Sequence, residues 1–569
     1  MRQSPNPVTL AGLATISLAA LAFVQPLEGG EPMPGPKAVE ATHGLVVSVS
    51  KPASEVGRDI LKKGGNAVDA AAATAFALAV TYPAAGNIGG GGFMLVYPAN
   101  GKAPTVIEYR ETAPAGATRT MYRKGETWYT HRAVGVPGTV RGMALAHQKF
   151  GKLPWKEVIA PAIRLAHEGF VLDASLASSL NSIVWFSTDF PELRRVLGKN
   201  GGSCDWHAGD RLVQKDLARS LTLIAEGGAD SFYKGPIADL IAAEMKSGNG
   251  LITKADLAAY HANTREPIHG NYRGYDVYAP PPPSSGGTCL VEMLNILENF
   301  DLRKQGRWSA ETLHVMIESM RRAYCDRARY LGDPDFARIP AFLTSKDYAR
   351  GLAKGIDLRH ATRSENLTKE VPLTKESDET THFSVIDADG MAVANTYTLE
   401  RSYGSRIVVK GAGFLLNNEM IDFNWQPGVT TRSGDIGTEP NAIAPGKRML
   451  SSQTPTVVAR DGKVALITGS PGSRTIINTV LCILVNVLDF DMDVRAAVDA
   501  PRLHHQWFPD EARFEGTSDH PAAVAKLKEM GHALVGGRQG DAHTIWVDLK
   551  TGKYCGAEDR RINGSASGY

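Results

Sequence analysis

Two threonines stand in tandem at positions 380 and 381, directly before THFSVID, ADG and MAVANTYTL. The pattern alternates, turns and alternates again, as a hairpin does. Threonine favours strands, so a plain strand start is one reading of the pair. The other is chemical. A chain cut before Thr380 carries a hydroxyl and a free α-amine on one residue, a nucleophile beside its own base. In such a cut the Thr380 hydroxyl attacks the Glu379 carbonyl, an N-to-O acyl shift gives an ester, and water resolves it. The surroundings suit the second reading. Residues 359–379 are polar and charged, the composition of an exposed linker open to cleavage.

Other residues could supply the rest of an acyl-transfer site. KVALITGSPGSRTIIN reads as a strand over residues 464–468, a tight turn over 469–473 and a helix from about Thr475. Backbone N–H groups at such a turn can hold an oxyanion, although an ordinary glycine turn has the same pattern. The G-x-S-x-G spacing of a serine nucleophile elbow is not met. Ser451 and Ser452 are hydroxyl donors on a loop before another strand, and Arg110 follows a short alternating strand. By position alone Arg110 would be a surface residue. The four glycines Gly89 to Gly92 precede a strand. A phosphate-binding loop has the reverse order, strand then helix, so these glycines predict close backbone approach instead. His382 is expected to pack in the core. His504 and His505 lack a third ligand at metal-binding spacing, so no metal is expected. Trp425 and Trp507 are expected as packing or rim residues.

These residues need a large scaffold. The chain has 569 residues, 43% of them hydrophobic, and a formal net charge of +2 from 62 basic and 60 acidic side chains. That balance argues against nucleic-acid or polybasic membrane partners. Five cysteines are scattered without a CxxC pair, which predicts buried free thiols rather than a disulfide framework or zinc site. Arg2 precedes an apolar run, Val8 to Val24, followed by polar Pro/Gly-rich sequence. This reads as a signal peptide within residues 1–30, with an uncleaved anchor as the alternative, then a linker over 31–41. An Ala-rich helix, NAVDAAAATAFALAVTYP, is apolar on most faces and so buried. SAETLHVMIESMRRAY places Leu313, Met316, Ile317 and Met320 on one face of an amphipathic helix.

TTHFSVIDADGMAVANTYTL, GFLLNNEMIDF, KRMLSSQTPT, GSPGS, YRETAP and PPPSSGGTCLVEMLN together closely resemble the γ-glutamyltranspeptidase (glutathione hydrolase) family. The resemblance runs from about Thr42 to Tyr569. It implies an α+β fold, the four-layer αββα sandwich of N-terminal-nucleophile hydrolases. It further implies one precursor, cut between Glu379 and Thr380 into a large subunit (42–379) and a small subunit (380–569) that stay together as a heterodimer. By this resemblance Thr380 is the nucleophile and Thr398 assists it by hydrogen bonding. Gly472 and Ser473 supply oxyanion amides. Arg110, Ser451 and Ser452 hold the donor's α-carboxylate, and Glu419 and Asp422 surround its ammonium. The implied donor is glutathione or another γ-glutamyl compound, and the acceptor is water, an amino acid or a dipeptide. No cofactor or metal is implied, and the exported enzyme would work in the periplasm or outside the cell. Three positions depart from the family pattern. Glu400 stands where many members have Asn and with Glu419 and Asp422 makes an acidic, substrate-binding cluster that suits the donor's ammonium, Ser473 replaces the usual second glycine, and Ser433 falls near the spot where many members carry a lid aromatic. Two alternatives are a same-fold acylase on glutaryl-cephalosporin or poly-γ-glutamate, and an uncleaved, inactive homologue used for binding.

Overall fold

The computed structural model describes residues 37–99, 101–123, 125–368, 373–374 and 380–569. The expected signal peptide and Glu379 lie outside the described residues. Two seven-stranded sheets face each other. The hairpin Thr381–Ile386 and Ala392–Thr398 forms the middle of the first sheet, between Leu45–Ser48 and Gly91–Tyr97. The second sheet is centred on Thr456–Arg460 and Lys463–Thr468, with Thr544–Val547 beyond them.

Three apolar clusters separate the layers. Between the sheets pack Leu45, Val47, Phe93, Leu95 and Ala394 from the first and Val457, Ile467 and Ile545 from the second. Phe383, Val385 and Tyr397 point the other way, onto helices that include Ala67–Thr81. Leu466 and Val458 point away from the first sheet, onto Gly286–Leu297, Ala310–Tyr330 and Thr475–Leu488. The period of two along each strand therefore feeds two different cores, and the layers run helix, sheet, sheet, helix. Helix Ala67–Thr81 is buried along its whole length. Its start is fixed by a capping box, with Asn66 accepting from the Val68 and Asp69 amides and Asp69 accepting from the Asn66 amide.

Several expectations are corrected. Residues Val39–Ala41, placed in a linker by composition, form an edge strand against Tyr554–Ala557. Part of the polar stretch before Thr380 is tied down rather than free: Ala361 N–H donates to Met530 O, Ser364 N–H to Asp510 and Trp507 Nε1 to Ser364 O. Helix Ala310–Tyr330 is buried on its polar side too, because charged partners there neutralise one another, as when Glu318 accepts from Arg321 and Arg322. Cys289, Cys325 and Cys482 are buried free thiols, but Cys204 and Cys555 are only half-buried. Among the described residues no helix is long and apolar enough to cross a membrane.

Candidate active site

The hairpin register brings the first pair of functional residues together. Thr381 pairs with Tyr397, so one step further sets Thr380 opposite Thr398. Alternation puts both on the face shared with His382, between the sheets. Thr380 is 6% exposed and Thr398 is buried. The Thr398 Oγ accepts from the Glu400 amide at 2.7 Å, and Thr398 O accepts from Asn87 Nδ2 at 2.9 Å. Here the glycine run has its use. A Cβ on Gly90 would lie 2.0 Å from Thr398 O, and one on Gly92 would lie 2.3 Å from Thr396 O. Only bare backbone lets these segments approach so closely.

His382 connects the strand that follows Thr380 to the other sheet. Its Nδ1 lies 2.8 Å from Thr396 Oγ and its Nε2 3.1 Å from Ser384 Oγ, while Ser384 Oγ donates to His543 O at 2.8 Å. Because Ser384 spends its proton on that carbonyl, His382 Nε2 carries the hydrogen and Nδ1 accepts from Thr396. Burial, then the nearby His543, hold the imidazole pKa well below its usual range. Gly469 lies flat on this ring, a Cβ there being 2.3 Å from it. So the same histidine supports the start of the turn that follows Lys463–Thr468.

That turn has the conformation an anion site needs. Gly472 lies at φ +123° and Ser473 at φ +49°. The carbonyls turn into the helix: Gly472 O accepts from the Thr475 amide at 2.9 Å and from its hydroxyl at 2.7 Å, and Ser473 O accepts from the Ile476 amide. Among the described residues neither the Gly472 nor the Ser473 amide donates to another backbone carbonyl. Ser473 can hold this left-handed backbone, at a cost glycine would not incur.

A narrow pocket joins these parts. Its walls include Thr380, Thr398, Ser473, Arg110, Ser451 and Ser452, with Glu400 and Asp422. Glu419 is buried behind them against Arg110. Arg110 is 1% exposed, not the surface arginine its position suggested. Its two terminal nitrogens donate to Glu419 and Asp422, and Nε donates to Met449 O at 3.3 Å. Burial works against its charge, but Glu419, Asp422, Glu111 and Glu400 outweigh that and hold it firmly cationic. Burial pushes the Glu400 and Glu419 carboxyls well above the usual range. Asp422 and Glu419 add to the effect at Glu400, whereas Arg110 opposes it at both. Glu111, whose carboxyl has no hydrogen-bond partner, is pushed up to about 8 by burial against the opposing pull of Arg110.

Four residues join the site without having been singled out from sequence: Glu111, Arg327, Gln453 and Ile476. Glu111 was visible as the neighbour of Arg110. Arg327 sat within a helix read only for its apolar face. The Ser433 segment places no aromatic at its expected lid position, and Ser433 is exposed, its Oγ 2.7 Å from Thr431 Oγ. Trp425 stacks on Tyr122 with ring centres 3.8 Å apart and packs in a small apolar cluster with Met420 and Phe423. Trp507 is a packing residue, 1% exposed.

Among the described residues two groups offer metal-ligand atoms close together, His314, Glu318 and His532, and Glu400, Glu419 and Asp422. In the first, His314 Nδ1 lies 2.8 Å from His532 Nε2, and Glu318 is held by Arg321 and Arg322. In the second, Arg110 already supplies the positive charge. His504 and His505 are used in hydrogen bonds, to Asn478 and Gln506 and to Asp510 and the Trp507 amide.

Two sheets packed face to face between helix layers, with a threonine opening a central strand, define the fold of the N-terminal-nucleophile hydrolases. The structure superposes on cephalosporin acylase from Bacillus halodurans with a TM-score of 0.82 at 28% identity, covering 97% of this chain and 99% of that one. The γ-glutamyltranspeptidase of Helicobacter pylori matches with a TM-score of 0.55 at 40% identity, over 59% of this chain and 97% of that one. A glutathione hydrolase proenzyme of Escherichia coli (strain K12) is 47% identical over 543 residues, 93% of each chain. The gamma-glutamyltranspeptidase family model matches residues 53–569, and the chain belongs to that family.

Proposed function

We propose that this chain is a self-cleaving γ-glutamyl hydrolase and transferase that acts on glutathione and related donors. The observation that carries the reading is one pocket whose walls bring Thr380 and the Ser473 turn together with Arg110, Ser451 and Ser452. Cleavage between Glu379 and Thr380 frees the threonine amine. That amine takes the Thr380 hydroxyl proton as the oxygen attacks the donor's γ-carbonyl. The Gly472 and Ser473 amides receive the oxyanion. Collapse of the intermediate breaks the C–N bond, the proton passes to the leaving amine, and a γ-glutamyl ester remains on Thr380. Water, an amino acid or a dipeptide then attacks the ester and restores the hydroxyl.

The charges explain the preference for an amino-acid donor. Glu400, Glu419 and Asp422 surround Arg110. When a donor carboxylate pairs with Arg110, Asp422 loses its cation, and the donor's own α-ammonium replaces it beside Asp422, Glu400 and Glu419. A glutaryl donor has no such ammonium. The acylase reading rests on the likeness to cephalosporin acylase, and the same charges favour the γ-glutamyl donor over it. Export through the apolar run of residues 8–24, to the periplasm or the medium, belongs to the same proposal.

Release of nitroaniline from a γ-glutamyl anilide and from its glutaryl counterpart tests the proposal. The γ-glutamyl compound should be cleaved with at least a tenfold higher kcat/KM, about 1.4 kcal/mol. A preference for the glutaryl compound would establish the acylase reading instead.

A further inference from the structure

Arg327, in the last turn of the long helix Ala310–Tyr330, lines the wall of the active-site pocket. It is 6% exposed, and among the described residues no carboxylate lies within ion-pair distance of it. Arg110, by contrast, is neutralised by acids on two sides. A buried guanidinium without a counter-ion is costly unless its N–H groups are satisfied and an anion comes to it.

Its hydrogen bonds show what it acts on. Arg327 Nε donates to Ser285 Oγ at 2.9 Å and Nη2 donates to Ser452 Oγ at 3.1 Å. Ser285 passes its own proton to Ser451 O at 2.7 Å. Ser451 Oγ accepts from the Gln453 amide at 3.0 Å. The PPPSSGG loop completes a ladder along the same segment. Ser451 N–H donates to Pro283 O, Ser285 N–H to Ser451 O and Ser284 Oγ to Gln453 O. A guanidinium has donors only, and so does an amide N–H. The Ser451 and Ser452 oxygens are therefore both acceptors toward the scaffold, and each keeps its O–H to give to an acceptor in the pocket.

We propose that Arg327 is a positioning residue for recognition of the donor's α-carboxylate. It forces Ser452 to present its proton to that carboxylate, and it adds the positive charge the carboxylate then balances. This deepens the proposed γ-glutamyl function and rests on it. It also assigns a role to the PPPSSGG loop, which holds the serine segment from the N-terminal side of Thr380.

The test compares wild type, Arg327→Met, Arg327→Lys, Ser452→Ala and the double variant Ser452→Ala with Arg327→Met, each monitored for self-cleavage and cooperative melting. The readouts are KM and kcat for a γ-glutamyl anilide. They are joined by inhibition constants for glutaric monoamide, which has the carboxylate alone, and 4-aminobutyramide, which has the ammonium alone. Arg327→Met should raise KM and the glutaric monoamide constant about tenfold or more, the range expected for a charged hydrogen bond. It should leave kcat within about threefold and the 4-aminobutyramide constant unchanged. Arg327→Lys keeps the charge and loses the fork, and should show a smaller rise with the same selectivity. In the Ser452→Ala background the Arg327 change should add less than the single change does. Equal effects on both inhibitors, or full additivity with Ser452→Ala, would overturn the inference. If Arg327→Met does not accumulate folded, Arg327→Lys decides: no rise in the glutaric monoamide constant overturns it. A wild type that leaves the γ-glutamyl anilide intact overturns the functional reading, and this inference with it.

Discussion

Ser473, whose amide is proposed to receive the oxyanion, has its backbone at φ +49°, where a side chain costs about 1 kcal/mol. A Ser473→Gly variant keeps the N–H and removes the strain. It should melt higher, gain about 1 kcal/mol, and keep kcat within about twofold. A large loss of kcat would show that the serine hydroxyl, not the amide, is what the site uses. Glu111 gives a pH dependence. Its folded pKa, about 8, is above the ordinary carboxylate value. The associated stability is fully present below the ordinary value and is lost as pH rises toward 8. Glu111→Gln should therefore melt close to wild type at pH 5 and above it at pH 8. A constant difference between the two pH values would mean that Glu111 is ionised throughout. The placement of Thr380 before a strand and of the glycine turn between strand and helix could be read from residue order, because both are local features. The Arg110 ion pairs and the Arg327–Ser452 bond could not, because they join residues 125 to 312 positions apart.

The central hairpin, the Ala-rich helix and the strand-turn-helix all appear where alternation and turn residues place them. The misreadings have a common physical cause. Val39–Ala41 and residues 361–364 look like linker because short polar segments carry no period, yet each gains backbone or side-chain partners from distant parts of the chain. The glycine run tests this scale directly. Gly90→Ala would drive a methyl group to 2.0 Å from Thr398 O, displacing the strand that faces Thr380. Both stability and self-cleavage should fall, the first by several kcal/mol. Normal cleavage and an unchanged melting temperature would contradict the close approach.

Both sheets draw strands from either side of Thr380. In the first, Thr381–Ile386 lies against Leu45–Ser48, and Ala392–Thr398 against Gly91–Tyr97. In the second, Thr456–Arg460 lies against Tyr275–Ala279. A cut before Thr380 leaves all these ladders intact. The cleaved protein should therefore run as one species in native gel filtration and as two only when denatured. Separation under native conditions would contradict the shared sheets.

All of this depends on Thr380 becoming a chain terminus. The most direct measurement is the intact mass and N-terminal sequence of the purified protein beside a Thr380→Ala variant. The account predicts two fragments from the wild type, the smaller beginning at Thr380, and a single uncut chain from the variant. An uncut wild type, or a variant cleaved at the same bond, would contradict it.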